Sequence, residues 1–103
     1  MLIERAILDE NVAAMQRIAD SKGVALRPHA KTHKLPELAQ LQVDRGARGV
    51  TVATLTEAEC MVAAGIDNLF LAYPPTGKWR LERLAPILGR ASVTVGLDTL
   101  DAV

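Results

Sequence analysis

The stretch Leu26-Arg27-Pro28-His29-Ala30-Lys31-Thr32-His33-Lys34 sets a cluster of cationic and titratable side chains at the end of a short apolar run. Val24, Ala25 and Leu26 read as the start of a strand, and Leu35-Pro36-Glu37-Leu38 reads as the opening of a helix. The cluster therefore falls where a strand hands over to a helix. Pro28 suits an extended segment and not a helix interior, because it has no N–H and its ring clashes with the preceding turn. Alternate side chains of a strand share a face, so Arg27, His29, Lys31 and His33 point one way for as long as the extended backbone persists.

A lysine that attacks a carbonyl must be neutral, which requires its ordinary pKa of about 10.4 to fall. Burial and neighbouring positive charge both act in that direction. Lys31 has Arg27 four residues back, Lys34 three residues on, and a histidine two residues away on each side. That pattern suits an amine used for chemistry, and its bland counterpart is a solvated basic rim. His29 and His33 stand four apart, which would suit a metal on a helix, but the extended backbone implied by Pro28 argues against it. The twelve basic and twelve acidic residues cancel. One basic cluster in such a chain lacks the broad positive surface of a nucleic-acid or anionic-membrane binder.

Working outward, Leu8, Val12, Met15 and Ala19 recur at helical spacing and predict a first helix from about Arg5 to Lys22, closed by Gly23. Met1-Leu2-Ile3 reads as the tail of an earlier strand. Pro36 fits a first helical turn, Leu38, Leu41 and Gln42 continue it, and Gly46 ends it. Residues 49–54 form a β-branched strand, and Thr56-Glu57-Ala58-Glu59 matches a capping box for a helix that runs to Gly65. A strand over 68–73, a helix over 78–88 and a strand over 92–97 follow, with Asp98-Thr99 opening a further helix. Leu81, Leu84, Ile87 and Leu88 are expected to face the sheet from the helix that Trp79 begins. Gly77-Lys78 lacks the full spacing of a nucleotide-binding loop and reads as a turn.

Strands beginning near residues 24, 49, 68 and 92, each followed by a helix, describe the βα repeat of a parallel sheet, and so an α/β fold. Half of the residues are hydrophobic, yet only Phe70, Tyr73 and Trp79 are aromatic, which fits an aliphatic parallel sheet. A closed eight-stranded barrel of this kind takes about 250 residues, so 103 residues hold roughly its first half. In barrels the functional groups lie at the carboxyl ends of the strands; Lys31, Thr54, Tyr73 and Asp98 fall there. The single cysteine, Cys60, excludes an internal disulfide and reads as a buried structural thiol in its helix. Six charged residues among the first twenty leave no signal peptide or membrane span, and a cytoplasmic location is expected.

The string Arg27-Pro28-His29-Ala30-Lys31-Thr32-His33-Lys34 closely resembles the segment that carries the cofactor lysine in the D-threonine aldolase and D-serine dehydratase family. Ala25-Leu26 before it and Ala72-Tyr73-Pro74 at the end of a later strand are similar to that family's N-terminal region. The resemblance implies a partial (β/α)8 barrel of the alanine racemase N-terminal type, with residues 1–103 as one incomplete domain. It implies pyridoxal phosphate as cofactor, Lys31 as the Schiff-base lysine, and His29, His33 and Tyr73 as candidate cofactor-binding residues. It further implies a D-amino acid as substrate, a full-length homodimer, and a divalent metal whose ligands lie in a C-terminal domain, with none in this chain. A lyase of D-amino acids is the leading expectation. A racemase of the same barrel group, a non-catalytic pyridoxal-phosphate carrier and an inert truncation are the alternatives. A half barrel leaves sheet edges and apolar strand faces uncovered, so the isolated chain is expected to be unstable or to self-associate, and to be inactive alone.

Overall fold

The computed structural model describes residues 2–100. Helix α1 (Arg5–Ser21) ends where Gly23 takes a φ of 65°, a left-handed conformation that glycine adopts at little cost. Its inward residues are Gln16 and Ala19, whereas Met15, expected on that face, is exposed. The Gln16 amide donates from Nε2 to Asp20 Oδ1 at 2.8 Å, while its Oε1 is buried without a partner among the described residues. Residues 2–4 form no strand, contrary to expectation, and Met1 lies outside the described residues.

The strand expected from Val24 does not form a ladder. The Leu26 carbonyl accepts from Arg48 N at 2.9 Å and the Pro28 carbonyl from Thr51 N at 2.7 Å, and an isolated parallel bridge joins His29 to Thr51. In a regular parallel ladder the residue two beyond an acceptor returns a donor. Here that residue is Pro28, which has no N–H to return. The register then slips, advancing from 26 to 28 on one side and from 48 to 51 on the other, as at a bulge. A 3₁₀ turn (Ala30–Thr32) follows at once. The extended alternation therefore stops at His29, and Lys31 and His33 do not continue the face of Arg27 and His29.

Helix α2 (Pro36–Asp44) has Pro36 in its first turn and ends before Gly46, where φ is 113°. Strands β1 (Val50–Val52), β2 (Asn68–Leu71) and β3 (Ser92–Val95) form a parallel sheet in the order β1-β2-β3. Helix α3 (Leu55–Ala63) connects the first pair and α4 (Lys78–Leu88) the second. The register aligns Val50 with Leu69 and Val93, and Val52 with Leu71 and Val95. This side of the sheet meets Leu55, Ala58, Met61 and Val62 of α3 and Leu84 and Ile87 of α4 in the core. The opposite side carries Thr51, Phe70 and Thr94 in one row.

Several sequence expectations shift by one or two residues. The cap of α3 is Thr54, whose Oγ1 accepts from Glu57 N at 3.2 Å, while Glu57 Oε2 accepts from Ala53 N at 2.7 Å. The capping pair is thus Thr54–Glu57 and not Thr56–Glu59, with the carboxylate on the amide one residue before the cap. That start turns Leu55, Ala58, Met61 and Val62 inward and leaves Cys60 exposed, so the thiol is not a core group. In α4 only Leu84 and Ile87 are buried, and Leu81 and Leu88 face outward. The helix expected from Asp98-Thr99 falls largely outside the described residues.

Candidate functional site

The lysine-bearing turn is built on Ala30. Its side chain is buried against the core, and its carbonyl accepts from His33 N at 3.3 Å and Lys34 N at 2.8 Å. His29 caps the turn, with Nδ1 accepting from Lys31 N at 3.3 Å. The turn closes with Lys34 at a φ of 53°, an uncommon conformation for a side-chain-bearing residue. It sends the Lys34 ammonium to within 3.4 Å of Glu57 Oε1. Arg27 donates from Nε to Asn68 Oδ1 at 2.8 Å. Lys31 is exposed and, among the described residues, has no ion-pair partner. The sequence pictured mutually activating cations; the fold instead engages Arg27 and Lys34 elsewhere and leaves Lys31 as the free amine.

His33 is half-buried. Its Nδ1 accepts from Leu35 N at 3.1 Å, and its Nε2 is buried with no hydrogen-bond partner among the described residues. Burial pushes the imidazole below its ordinary pKa, which favours the neutral ring. Both histidines spend Nδ1 on backbone amides, so neither offers that nitrogen to a metal. Among the described residues no group of three or more His, Cys, Asp or Glu side chains gathers around a metal-sized space.

Tyr73 is exposed and lines a recess of about 410 Å³ with Thr54, Thr56, Trp79, Arg80 and Arg83. Lys31, His29 and His33 do not line it, so this recess does not join Tyr73 to the lysine. Thr54 is committed to the helix cap, and Asp98 is exposed beyond β3. Sequence reading missed Thr51, Asn68 and Glu57, which hold the basic cluster in place. Only Glu57 left a trace, since Thr54-Leu55-Thr56-Glu57 also matches a capping box.

Continuing the register beyond β1, β2 and β3 sets Ala53, Ala72 and Gly96 side by side, two residues past the row of His29, Thr51, Phe70 and Thr94 and on the same side of the sheet. A Cβ at Gly96 would lie 3.0 Å from the Ala72 carbonyl oxygen and 3.5 Å from Phe70 Cζ. The sheet thus carries small groups at the same end as Lys31. Residues 3–102 match the family model of the alanine racemase N-terminal domain. The chain belongs to that family. The fold is accordingly the alanine racemase N-terminal fold, an α/β arrangement of parallel strands and alternating helices that makes up part of a barrel.

Among relatives of this racemase-type barrel segment, D-threonine aldolase of Arthrobacter sp. is 39% identical over 98 residues, covering 95% of this chain and 26% of that protein. The crystal structure of D-threonine aldolase from Filomicrobium marinum superposes with a TM-score of 0.94 at 39% identity, covering 98% of this chain and 27% of that one. D-threo-3-hydroxyaspartate dehydratase from Delftia sp. HT23 superposes at 0.88 with 36% identity, covering 97% and 26%. The chain spans about a quarter of the length of the relatives it matches. No helix among the described residues is long and apolar enough to cross a membrane.

Proposed function

We propose that this chain is the lysine-bearing part of a pyridoxal-phosphate-dependent lyase acting on D-amino acids, with Lys31 as the residue that carries the cofactor. The observation that carries this reading is the division of labour within the basic cluster: Arg27 is tied to Asn68, Lys34 to Glu57, and Lys31 stands free at the carboxyl end of the sheet. Barrel enzymes gather their reacting groups at that end. The residues present fit the cofactor. A primary amine that has no carboxylate partner among the described residues stands on a turn fixed by Ala30, the strands beside it lead into Ala53, Ala72 and Gly96, and among the same residues the buried His33 Nε2 finds no partner.

Pyridoxal phosphate, when bound, supplies an electron sink that weakens the bonds at the α-carbon of an amino acid. Lys31 holds the cofactor and, once displaced by substrate, is the amine available to accept or return a proton. His29 fixes the backbone of the turn through Nδ1, and His33, kept neutral by burial, adds no competing positive charge. A β-hydroxy D-amino acid is the substrate class, cleaved to glycine and an aldehyde or converted to a keto acid and ammonia; the names of the relatives support both outcomes. By the same resemblance, residues 1–103 form one incomplete cofactor-binding barrel domain of a cytoplasmic homodimer that also uses a divalent metal. The isolated segment, with its faces uncovered, is unstable, aggregates or pairs with itself, and a cooperative, strictly monomeric unfolding transition would contradict that.

Borohydride fixation of pyridoxal phosphate on the full chain, followed by peptide mapping, tests the lysine assignment. The expected result is fixed cofactor on Lys31 that is lost in Lys31→Ala. Label spread over Lys22, Lys34 and Lys78, or absent altogether, overturns it.

A further inference from the structure

The segment that carries Lys31 has little regular ladder to hold it, because Pro28 interrupts the pairing with β1. Side chains hold it instead. Thr51 is buried, and its Oγ1 donates to the Arg27 carbonyl at 2.8 Å while its amide donates to the Pro28 carbonyl at 2.7 Å. One residue of β1 therefore engages two successive carbonyls of the segment. The Arg27 side chain reaches past β1 to β2, where Nε meets Asn68 Oδ1 at 2.8 Å. Asn68 is itself fixed in the sheet by its pairing opposite Ser92. The two strands also approach closely there, since a Cβ on Gly49 would fall 2.1 Å from the Asn68 carbonyl oxygen. Arg27 is thus clamped to both strands. From this clamp to Lys31, the bridge at His29 and the buried Ala30 add the remaining support.

We propose that Thr51 and Asn68 are positioning residues for Lys31, fixing the height of its turn above the sheet by gripping Arg27. The inference rests on the assignment of Lys31 as the cofactor lysine. A complete parallel ladder resists sliding through many backbone bonds; here few remain, the Thr51 amide bond to the Pro28 carbonyl and the bridge at His29, and the side-chain bonds of Thr51 and Arg27 supplement them over residues 27–31. Losing either side-chain bond allows the turn to shift along β1, and reactions between held groups fall steeply with displacements near 1 Å.

The test uses the full chain with pyridoxal phosphate and two pairs of variants. Thr51→Val keeps the shape and removes the donor, and Thr51→Ser restores it. Asn68→Leu removes the acceptor, and Asn68→Asp restores it. The readouts are the rate at which cofactor is fixed on mapped Lys31, the pH at which the visible absorption of the bound cofactor changes, and the melting temperature. We expect Thr51→Val and Asn68→Leu to slow fixation by about tenfold or more and to move the absorption transition, with Thr51→Ser and Asn68→Asp within about twofold of the parent. Parent rates and an unmoved transition in folded Thr51→Val and Asn68→Leu overturn the proposal. So does slowing in all four variants that merely follows the loss in melting temperature. In those cases the label still maps to Lys31 and only the positioning role falls. Cofactor fixed at another lysine in both the parent and Lys31→Ala would remove the Lys31 assignment, and the positioning role with it.

Discussion

The carboxylate of Glu57 lies 3.4 Å from the Lys34 ammonium and simultaneously accepts from Ala53 N at 2.7 Å, so one side chain both starts α3 and holds the second lysine of the basic cluster. Glu57 is nearly buried while Lys34 is largely exposed. Its main value lies in the cap, because an exposed ammonium in such a pair is well screened by solvent. Glu57→Ala should therefore lower stability by about 1–2 kcal/mol through loss of the cap. Glu57→Gln, which keeps an acceptor, should cost less. Urea unfolding of the two variants checks the order, and equal losses would assign the effect to the ion pair instead.

Gly49 has no room for a side chain. A Cβ there would fall 2.1 Å from the Asn68 carbonyl oxygen and 2.8 Å from Asn68 Cβ, and the obstacle is backbone that cannot turn aside. Gly49→Ala should cost at least about 2 kcal/mol, read as a lower denaturant midpoint. Gly65→Ala offers a contrast, since no atom lies within 4 Å of its position and the strain there comes from its φ of 96°. A midpoint for Gly49→Ala equal to that of the parent would show that β1 and β2 separate more readily than the register implies.

Burial lowers the pKa of His33 in the folded chain. Between that lowered value and the ordinary one of about 6.5, the unfolded chain binds more protons than the folded chain, so acidification favours unfolding. The contribution of His33 is complete above the ordinary pKa and is lost as pH falls through the lowered one. His33→Asn, which can still accept from Leu35 N, should flatten the fall in melting temperature between about pH 7.5 and 5.5. An unchanged pH profile would show that His33 gains a partner for Nε2 on protonation.

Cys60 is exposed on α3. A thiol reagent should titrate it completely in the native state at the rate seen in denaturant, and Cys60→Ser should change stability by less than about 0.5 kcal/mol. Protection of the native thiol would mean that this face of α3 is covered in the full-length protein.

Much of this architecture is legible in the residues themselves. Pro36 and Gly46 bound α2, the β-branched run at Val50-Thr51-Val52 marks a strand, and the helix over Lys78–Leu88 falls where its pattern places it. These features depend on backbone chemistry local to a few residues. The registers were less legible. Thr54–Glu57 and Thr56–Glu59 are equally good capping boxes in sequence, and the choice between them depends on which start buries Leu55, Ala58, Met61 and Val62.

The residues alone place Lys31 just ahead of the helix that Pro36 opens, set the later elements in the order of a parallel βα fold, and through Pro28 forbid a helix at the cluster, whereas the strand they suggest from Val24 shrinks to a single bridge at His29. Packing, in contrast, makes the Lys31 segment a 3₁₀ turn, turns Lys34 to Glu57, and brings Arg27 to Asn68 forty-one residues away. Local propensities set what each segment can be. Which cation is left free depends on partners brought together by burial of the Val50, Val52, Leu69 and Leu71 face, and burial is a property of the packed sheet rather than of any one stretch of chain.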